Sequence, residues 1–232
     1  MDGSQQLQLT SSALDALMPR WSPDGKRIAF FDTTHGAPEG SHVYVVSADG
    51  GMSPQRLGPA GRCDASWSPD GNSLMFGRAS GHASRNFAID ILDLRTQQVS
   101  TVPGSEGLYS PRWSPDGRYI VAVPVPAADA NGKTPKLVLF DFTTEKWTDL
   151  ARVNDLGFPS WSADGKYVYF EDGGSDPGIF RVRISDRKLE RVVSLKEIRL
   201  IGGGFSLAPD DSPILLRDTS VEEIYALDWE AP

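Results

Sequence analysis

The fold this sequence predicts is an all-β wheel, a five-bladed β-propeller of four-stranded antiparallel blades. Three observations carry it. One short signature recurs five times at near-constant spacing, apolar residues alternate at period two after each copy, and long amphipathic helical patterns are absent. The copies are Trp21-Ser22-Pro23-Asp24-Gly25, Trp67-Ser68-Pro69-Asp70-Gly71, Trp113-Ser114-Pro115-Asp116-Gly117, Trp161-Ser162-Ala163-Asp164-Gly165 and the degenerate Phe205-Ser206-Leu207-Ala208-Pro209-Asp210-Asp211. Their aromatic residues stand 46, 46, 48 and 44 positions apart.

Each element of the repeat has a physical reason. In the signature, proline presets φ for a tight turn, Asp bonds nearby backbone amides and Gly accepts positive φ. The signature joins the first two strands of a blade, so its Asp residues are turn formers and not a catalytic set. The preceding Trp fills the space between neighbouring blades. A second strand follows each turn, at 27–31, 73–76, 119–123, 167–170 and 214–216. Its inward columns are Ile28, Leu74, Ile120, Val168, Ile214 and Phe30, Phe76, Ala122, Phe170, Leu216. A third strand at 43–46, 89–94, 137–142, 179–184 and 224–227 is apolar on both faces, as a sheet covered on both sides requires. Turn residues and a short fourth strand ending at Leu57, Val102, Leu150 or Val193 complete the unit, and the segment entering each Trp is the innermost strand.

A blade this small cannot bury its own faces, so neighbours must cover them. The repeats run over 11–57, 58–102, 103–150, 151–193 and 194–232, the last completed by residues 1–10, all within one domain spanning 1–232. The last repeat is one strand short, and Leu9 precedes Trp21 by 12 residues as Val193 precedes Phe205. Residues 5–10 are therefore expected to pair with 223–229 and close the ring, covering two strand edges.

Composition narrows the function. The chain has 23 Lys+Arg against 31 Asp+Glu, a net charge of -8, which argues against a duplex nucleic-acid binder. No run approaches the roughly 18 apolar residues of a membrane span, and the polar first ten residues are no signal peptide. Membrane insertion is not expected, and a monomer is favoured. The single cysteine, Cys63, excludes an internal disulfide and a thiolate zinc cluster.

The repeated Trp-Ser-Pro-Asp-Gly, followed by Lys26-Arg27-Ile28-Ala29-Phe30 or Arg118-Tyr119-Ile120-Val121-Ala122, resembles the WD40-like (PD40) propeller repeat of the TolB family across essentially the whole chain. The resemblance implies a propeller that binds partner proteins, and a periplasmic or extracytoplasmic site of action. Related repeats form the propellers of prolyl-oligopeptidase-like peptidases and the sensor halves of bacterial winged-helix regulators and receptor kinases. The run from Leu215 to Trp229 is similar to the ends of regulator propellers. The repeat count departs from the six blades of TolB, no preceding α/β domain is present, and the mid-blade start implies a domain of a longer bacterial protein.

Catalytic signatures are not found. There is no Gly-x-Ser-x-Gly elbow and no phosphate-cradling Gly-x-x-x-x-Gly-Lys, since Gly202-Gly203-Gly204 precedes a strand. His35, His42 and His82 lack metal-ligand spacing and read as solvated loop residues. Asp172-Gly173-Gly174-Ser175-Asp176 lacks an EF-hand's spacing and glutamate and reads as a plain loop. Asp15, Asp64 and Asp155 lie in the connections to inner strands, where a carbohydrate-binding or glycoside-hydrolysing wheel would need paired carboxylates. A ring with a purely structural role is the third alternative. No cofactor or metal is expected.

The leading expectation is a non-catalytic protein or peptide interaction or sensor propeller. Its binding surface is expected on the face that carries the long second-to-third-strand loops and the crossovers, where variable loops sit on a rigid frame. Arg78, His82, Arg85, Tyr109, Phe158 and His35 are the candidate side chains, because Arg and aromatic anchors dominate interfaces. Packing of the central channel is the alternative role for Tyr109 and Phe158.

Overall fold

The computed structural model describes residues 6–33, 40–78, 87–125, 136–153, 157, 159–198 and 200–220. Among them are four four-stranded antiparallel sheets, one two-stranded sheet and no helix. The first blade is β1 (Ala16–Trp21), β2 (Arg27–Asp32), β3 (His42–Ser47) and β4 (Gln55–Leu57). The second is β5 (Arg62–Trp67), β6 (Ser73–Arg78), β7 (Ile89–Asp93) and β8 (Val99–Thr101). The third is β9 (Leu108–Trp113), β10 (Tyr119–Pro124), β11 (Lys136–Asp141) and β12 (Lys146–Arg152). The fourth is β13 (Ser160–Trp161), β14 (Tyr167–Asp172), β15 (Gly178–Arg183) and β16 (Leu189–Ser194). In every blade the hydrogen-bonded order follows the chain, as the repeat predicts.

The signature turns have the chemistry their sequence implies. Ser22 Oγ donates to Asp24 Oδ1 at 2.6 Å, the Lys26 amide donates to the same oxygen at 3.1 Å, and the Arg27 amide donates to Ser22 Oγ at 2.9 Å. The same bonds recur around Ser68 and Asp70, Ser114 and Asp116, and Ser162 and Asp164. Gly25, Gly71, Gly117 and Gly165 all take φ between +67° and +75°, which a side chain would resist. Successive turns also touch: a Cβ at Gly71, Gly117 or Gly165 would lie 3.7, 3.7 or 3.6 Å from Pro23, Pro69 or Pro115 of the blade before.

These bonds hold the turn carboxyls below their ordinary range. The Ser22 hydroxyl and then the Lys26 amide act on Asp24, and the Ser68 hydroxyl and then the Asn72 amide on Asp70. The Lys166 amide, its ammonium and the Ser162 hydroxyl lower Asp164 to about 2. A carboxyl more acidic in the fold than in the unfolded chain adds stability above its unfolded value, and that stability is lost as pH falls through the folded value. The melting temperature is therefore expected to hold down to about pH 4 and then drop toward pH 2. Asp164→Asn, measured by a pH series of thermal melts, should shallow that acid limb; an identical limb would refute the assignment.

The fourth turn explains its own departure from the signature. Ala163 stands where the other turns have proline, and its amide donates to Asp211 Oδ1 of the next unit at 2.8 Å. Proline has no N–H to give. Asp211 in turn takes φ +64° at the position glycine holds elsewhere. Restoring the consensus with Ala163→Pro is expected to lower stability by about 1 kcal/mol, read as an earlier denaturation midpoint rather than a later one.

Packing runs between blades. Leu74 and Phe76 of the second blade, both 0% exposed, share a cluster with Phe31, Val43 and Leu57 of the first. Met75 and Ile89 pack with Ile120 and Phe140 of the third, and Val121, Leu137 and Leu150 pack with Val168, Phe170 and Val182 of the fourth. Trp67 Nε1 donates to the Arg20 carbonyl of the preceding blade at 3.0 Å, and Trp161 Nε1 likewise to Arg112. Trp67 and Trp161 thus bridge blades as expected, whereas Trp113 donates to Gly117 in its own turn and Trp21 stays exposed.

The structure corrects the blade count and the closure. Among the described residues four complete blades are present, not five, and those of the fifth repeat form a hairpin of β17 (Leu200–Leu207) and β18 (Pro213–Arg217). Residues 6–10 form no strand; the Leu7 side chain instead sits over the turn after β3, where a Cβ at Gly50 would be 3.1 Å from it. The intended partner strand, 223–229, lies outside the described residues. Alternating apolar residues permit a strand but do not supply a partner edge. Trp21 and Leu216 are accordingly 62% and 69% exposed.

Candidate functional site

The innermost strands of the first four blades, β1, β5, β9 and β13, pack side by side in that order and line the axis. Three of them carry the same distortion. Met18, Asp64 and Ser110, each three residues before its Trp, take φ of 49°, 52° and 51°, and the pairing register slips at the same point. Such a bulge inserts an unpaired residue and re-aims the side chains beside it. Non-glycine residues in this region cost of order 1–3 kcal/mol each and persist where the surroundings dictate them.

Here the bulges bring charges together across three blades. Ser110 Oγ donates to Asp64 Oδ2 at 2.6 Å, and Arg112 Nη2 donates to the same oxygen at 3.1 Å while lying 2.9 Å from Oδ1. Arg20 Nη2 approaches Oδ1 from the other side at 3.9 Å. Asp64 and Arg112 are buried, and Asp64 Oδ1 and Arg112 Nε have no well-directed hydrogen bond. Two guanidiniums thus share one carboxylate. Burial, and then the charge of Arg112, pull Arg20 down to about 10 against the opposing pull of Asp64. Burial, and then Asp64, push the neighbouring Cys63 thiol up to about 11, so it is no nucleophile at neutral pH.

Toward the turn end of the axis, these strands open into a pocket of about 330 Å³. Trp21, Trp67 and Trp113 line it with the prolines of their turns, and Arg20 and Ser66 contribute the polar wall. The pocket lies at the end of the blades where the signature turns join the first and second strands.

The sequence-derived candidates fall elsewhere. Arg78 belongs to an ion-pair network with one member on each strand of the second blade. Arg62 of β5 and Arg78 of β6 reach Asp90 of β7 at 2.7 and 2.9 Å, and Thr101 of β8 donates to it at 2.8 Å. Tyr109 is half-buried against the core between the third and fourth blades. His35, His82, Arg85 and Phe158 lie outside the described residues, as does Asp155. Asp15 is exposed and accepts from Thr33, so it does not join Asp64 at the axis. His42 is buried beside the Gly40 carbonyl, and Asp172 is buried and accepts the Gly174 amide. Among the described residues, no group of three or more His, Cys, Asp or Glu is placed to hold a metal.

Arg20, Ser110 and Arg112 went unread in the sequence. The signal was present in the column one residue before each Trp (Arg20, Ser66, Arg112, Ser160) and in Asp64 and Ser110 three residues before theirs, polar and charged residues in strands otherwise built for packing.

Comparison with solved structures places the chain among propellers. It matches TolB from Acinetobacter baumannii with a TM-score of 0.72 and 24% identity, over 90% of this chain and 50% of that one. A TolB from Agrobacterium tumefaciens follows at 0.63 and 21%, over 80% and 69%. An oligogalacturonate lyase in complex with manganese matches at 0.62 and 12%, over 87% and 61%. The chain spans half the length of the Acinetobacter TolB. No family model matches the sequence, and no curated protein does. The fold is a TolB-like β-propeller.

Proposed function

We propose that this chain is a non-catalytic interaction propeller that binds a protein or peptide, with the axial pocket at the turn end as a contact surface. The observation that carries the reading is the lining of that pocket. Three tryptophans and an arginine from three blades converge on one concavity, the residue types that dominate binding energy at interfaces. Two buried acids support it from the other side. Asp64 and Asp90 each hold a guanidinium at 2.9 Å or less, so both are taken up in ion pairs within the frame. Likeness to TolB structures fits a binding role, while likeness to a lyase makes turnover the competing outcome to measure.

The test is an array of linear peptides with free and capped ends, probed with the labelled chain alongside assays on peptide and polygalacturonate substrates. A discrete set of bound peptides is expected, weakened at least about tenfold by Trp21→Ala, as for an interface hot spot. Trp21 is 62% exposed, so the change leaves the core intact. No bound peptide, or turnover of either substrate, would overturn the reading.

A further inference from the structure

We infer that the axial pocket takes a carboxylate carried on an apolar body, with Arg20 as the group that receives it. The inference rests on the interaction reading above and adds the chemistry of the ligand. It begins with a charge count. Around the axial bulges there are two guanidiniums and one carboxylate, and Asp64 is already engaged by Arg112 and Ser110. Arg20 is left 3.9 Å away with a side chain 38% exposed, and among the described residues its guanidinium makes no hydrogen bond. Five N–H donors at the wall of a concave site, held by one 3.9 Å ion pair and no hydrogen bond, leave open a fork of the geometry that carboxylates occupy.

The rest of the pocket selects what bears the anion. Its walls are mainly indole and pyrrolidine, so a small hydrated ion would leave apolar surface wet, whereas an aliphatic or proline residue would cover it. Ser66 Oγ accepts the Trp113 amide at 3.3 Å and keeps its own proton to donate. Ser114 is already committed to Asp116. One cation with a single long ion pair and no hydrogen bond, beside one neutral donor, suits a monoanion better than a phosphate dianion. A free peptide C-terminus and an Asp or Glu side chain beside an apolar residue both present this chemistry.

The experiment uses the whole chain and three probes: acetyl-Gly-Ala-Pro-Leu as the free acid, the same peptide as its C-terminal amide, and acetyl-Ala-Pro-Asp-Leu amide. Calorimetry and tryptophan fluorescence give the affinities. One of the two carboxylate probes is expected to bind at least about tenfold more tightly than the neutral amide, the range of a charge-assisted bond, and the arm that does so names the source. Arg20→Gln should bring acid and amide within about twofold, and Arg20→Lys should keep part of the preference. The Arg20 carbonyl that receives Trp67 is backbone and survives both substitutions. Neither carboxylate probe binding more tightly than the neutral amide in the native chain, or a preference that persists in Arg20→Gln, overturns the inference. Peptides that bind equally well when capped would leave the interaction reading standing and remove only the carboxylate.

Discussion

Replacing Asp90 with alanine is expected to cost the fold about 3–5 kcal/mol, the usual penalty for stranding a buried charge. Asp90 is 0% exposed, and the side chains of Arg62 and Arg78 are only 14% and 24% exposed. The substitution removes the shared carboxylate from both guanidiniums and from Thr101 at once, leaving Arg62 the Ala60 and Gly61 carbonyls and Arg78 the Thr101 hydroxyl, and Arg62 Nε already lacks a hydrogen bond. Because the members come from all four strands of one blade, the loss acts on the blade as a unit. A domain has about 5–15 kcal/mol in total, so urea denaturation should show a midpoint lowered by about a fifth or more. Asp90→Asn keeps the shape and one acceptor oxygen and should fall between the two. A midpoint within error of the parent for Asp90→Ala would show that the network contributes nothing net.

Phe76→Ala and Leu216→Ala are expected to differ by several kcal/mol although the two residues occupy the same column of the repeat. Phe76 is 0% exposed, enclosed between the first two blades, and would lie 3.3 Å from a Cβ at Gly58. Truncating it removes transferred apolar area and leaves a cavity, together about 3–5 kcal/mol. Leu216 is 69% exposed, and the same truncation should stay within about 0.5 kcal/mol. Paired denaturation curves decide it. Equal losses would mean that the face of β18 is covered in solution.

That pair marks the limit of the repeat as a source of structure. The turns were legible residue by residue, because a tight turn draws on chemistry within five positions: a hydroxyl, a carboxylate and a glycine. The second and third strands were legible because period-two alternation is a local property. Even the missing proline at Ala163 was visible, though not its purpose, which is a bond to Asp211 48 residues away.

The axial cluster was not legible. Asp64 is legible as an acid in a connection to an inner strand, yet nothing local couples it to Ser110, Arg112 and Arg20. They meet only because three strands bulge at the same position and three blades stack around one axis. Arg78 reads in the sequence as a candidate binding side chain; its partner lies across the sheet, so its place in the Asp90 network follows from strand pairing.

Local chemistry in the chain determined the strands, the turns and the four-stranded unit, since each depends on neighbours in sequence. The tertiary structure alone decided how many units complete a blade, which tryptophans are enclosed and where charge gathers at the axis. Burial and ion pairing are properties of what a neighbouring blade brings within a few ångströms, and a repeat presents identical residues to unlike neighbours: Trp67 rests on the blade before it and is 7% exposed, while Trp21, with no complete blade ahead of it among the described residues, is 62% exposed.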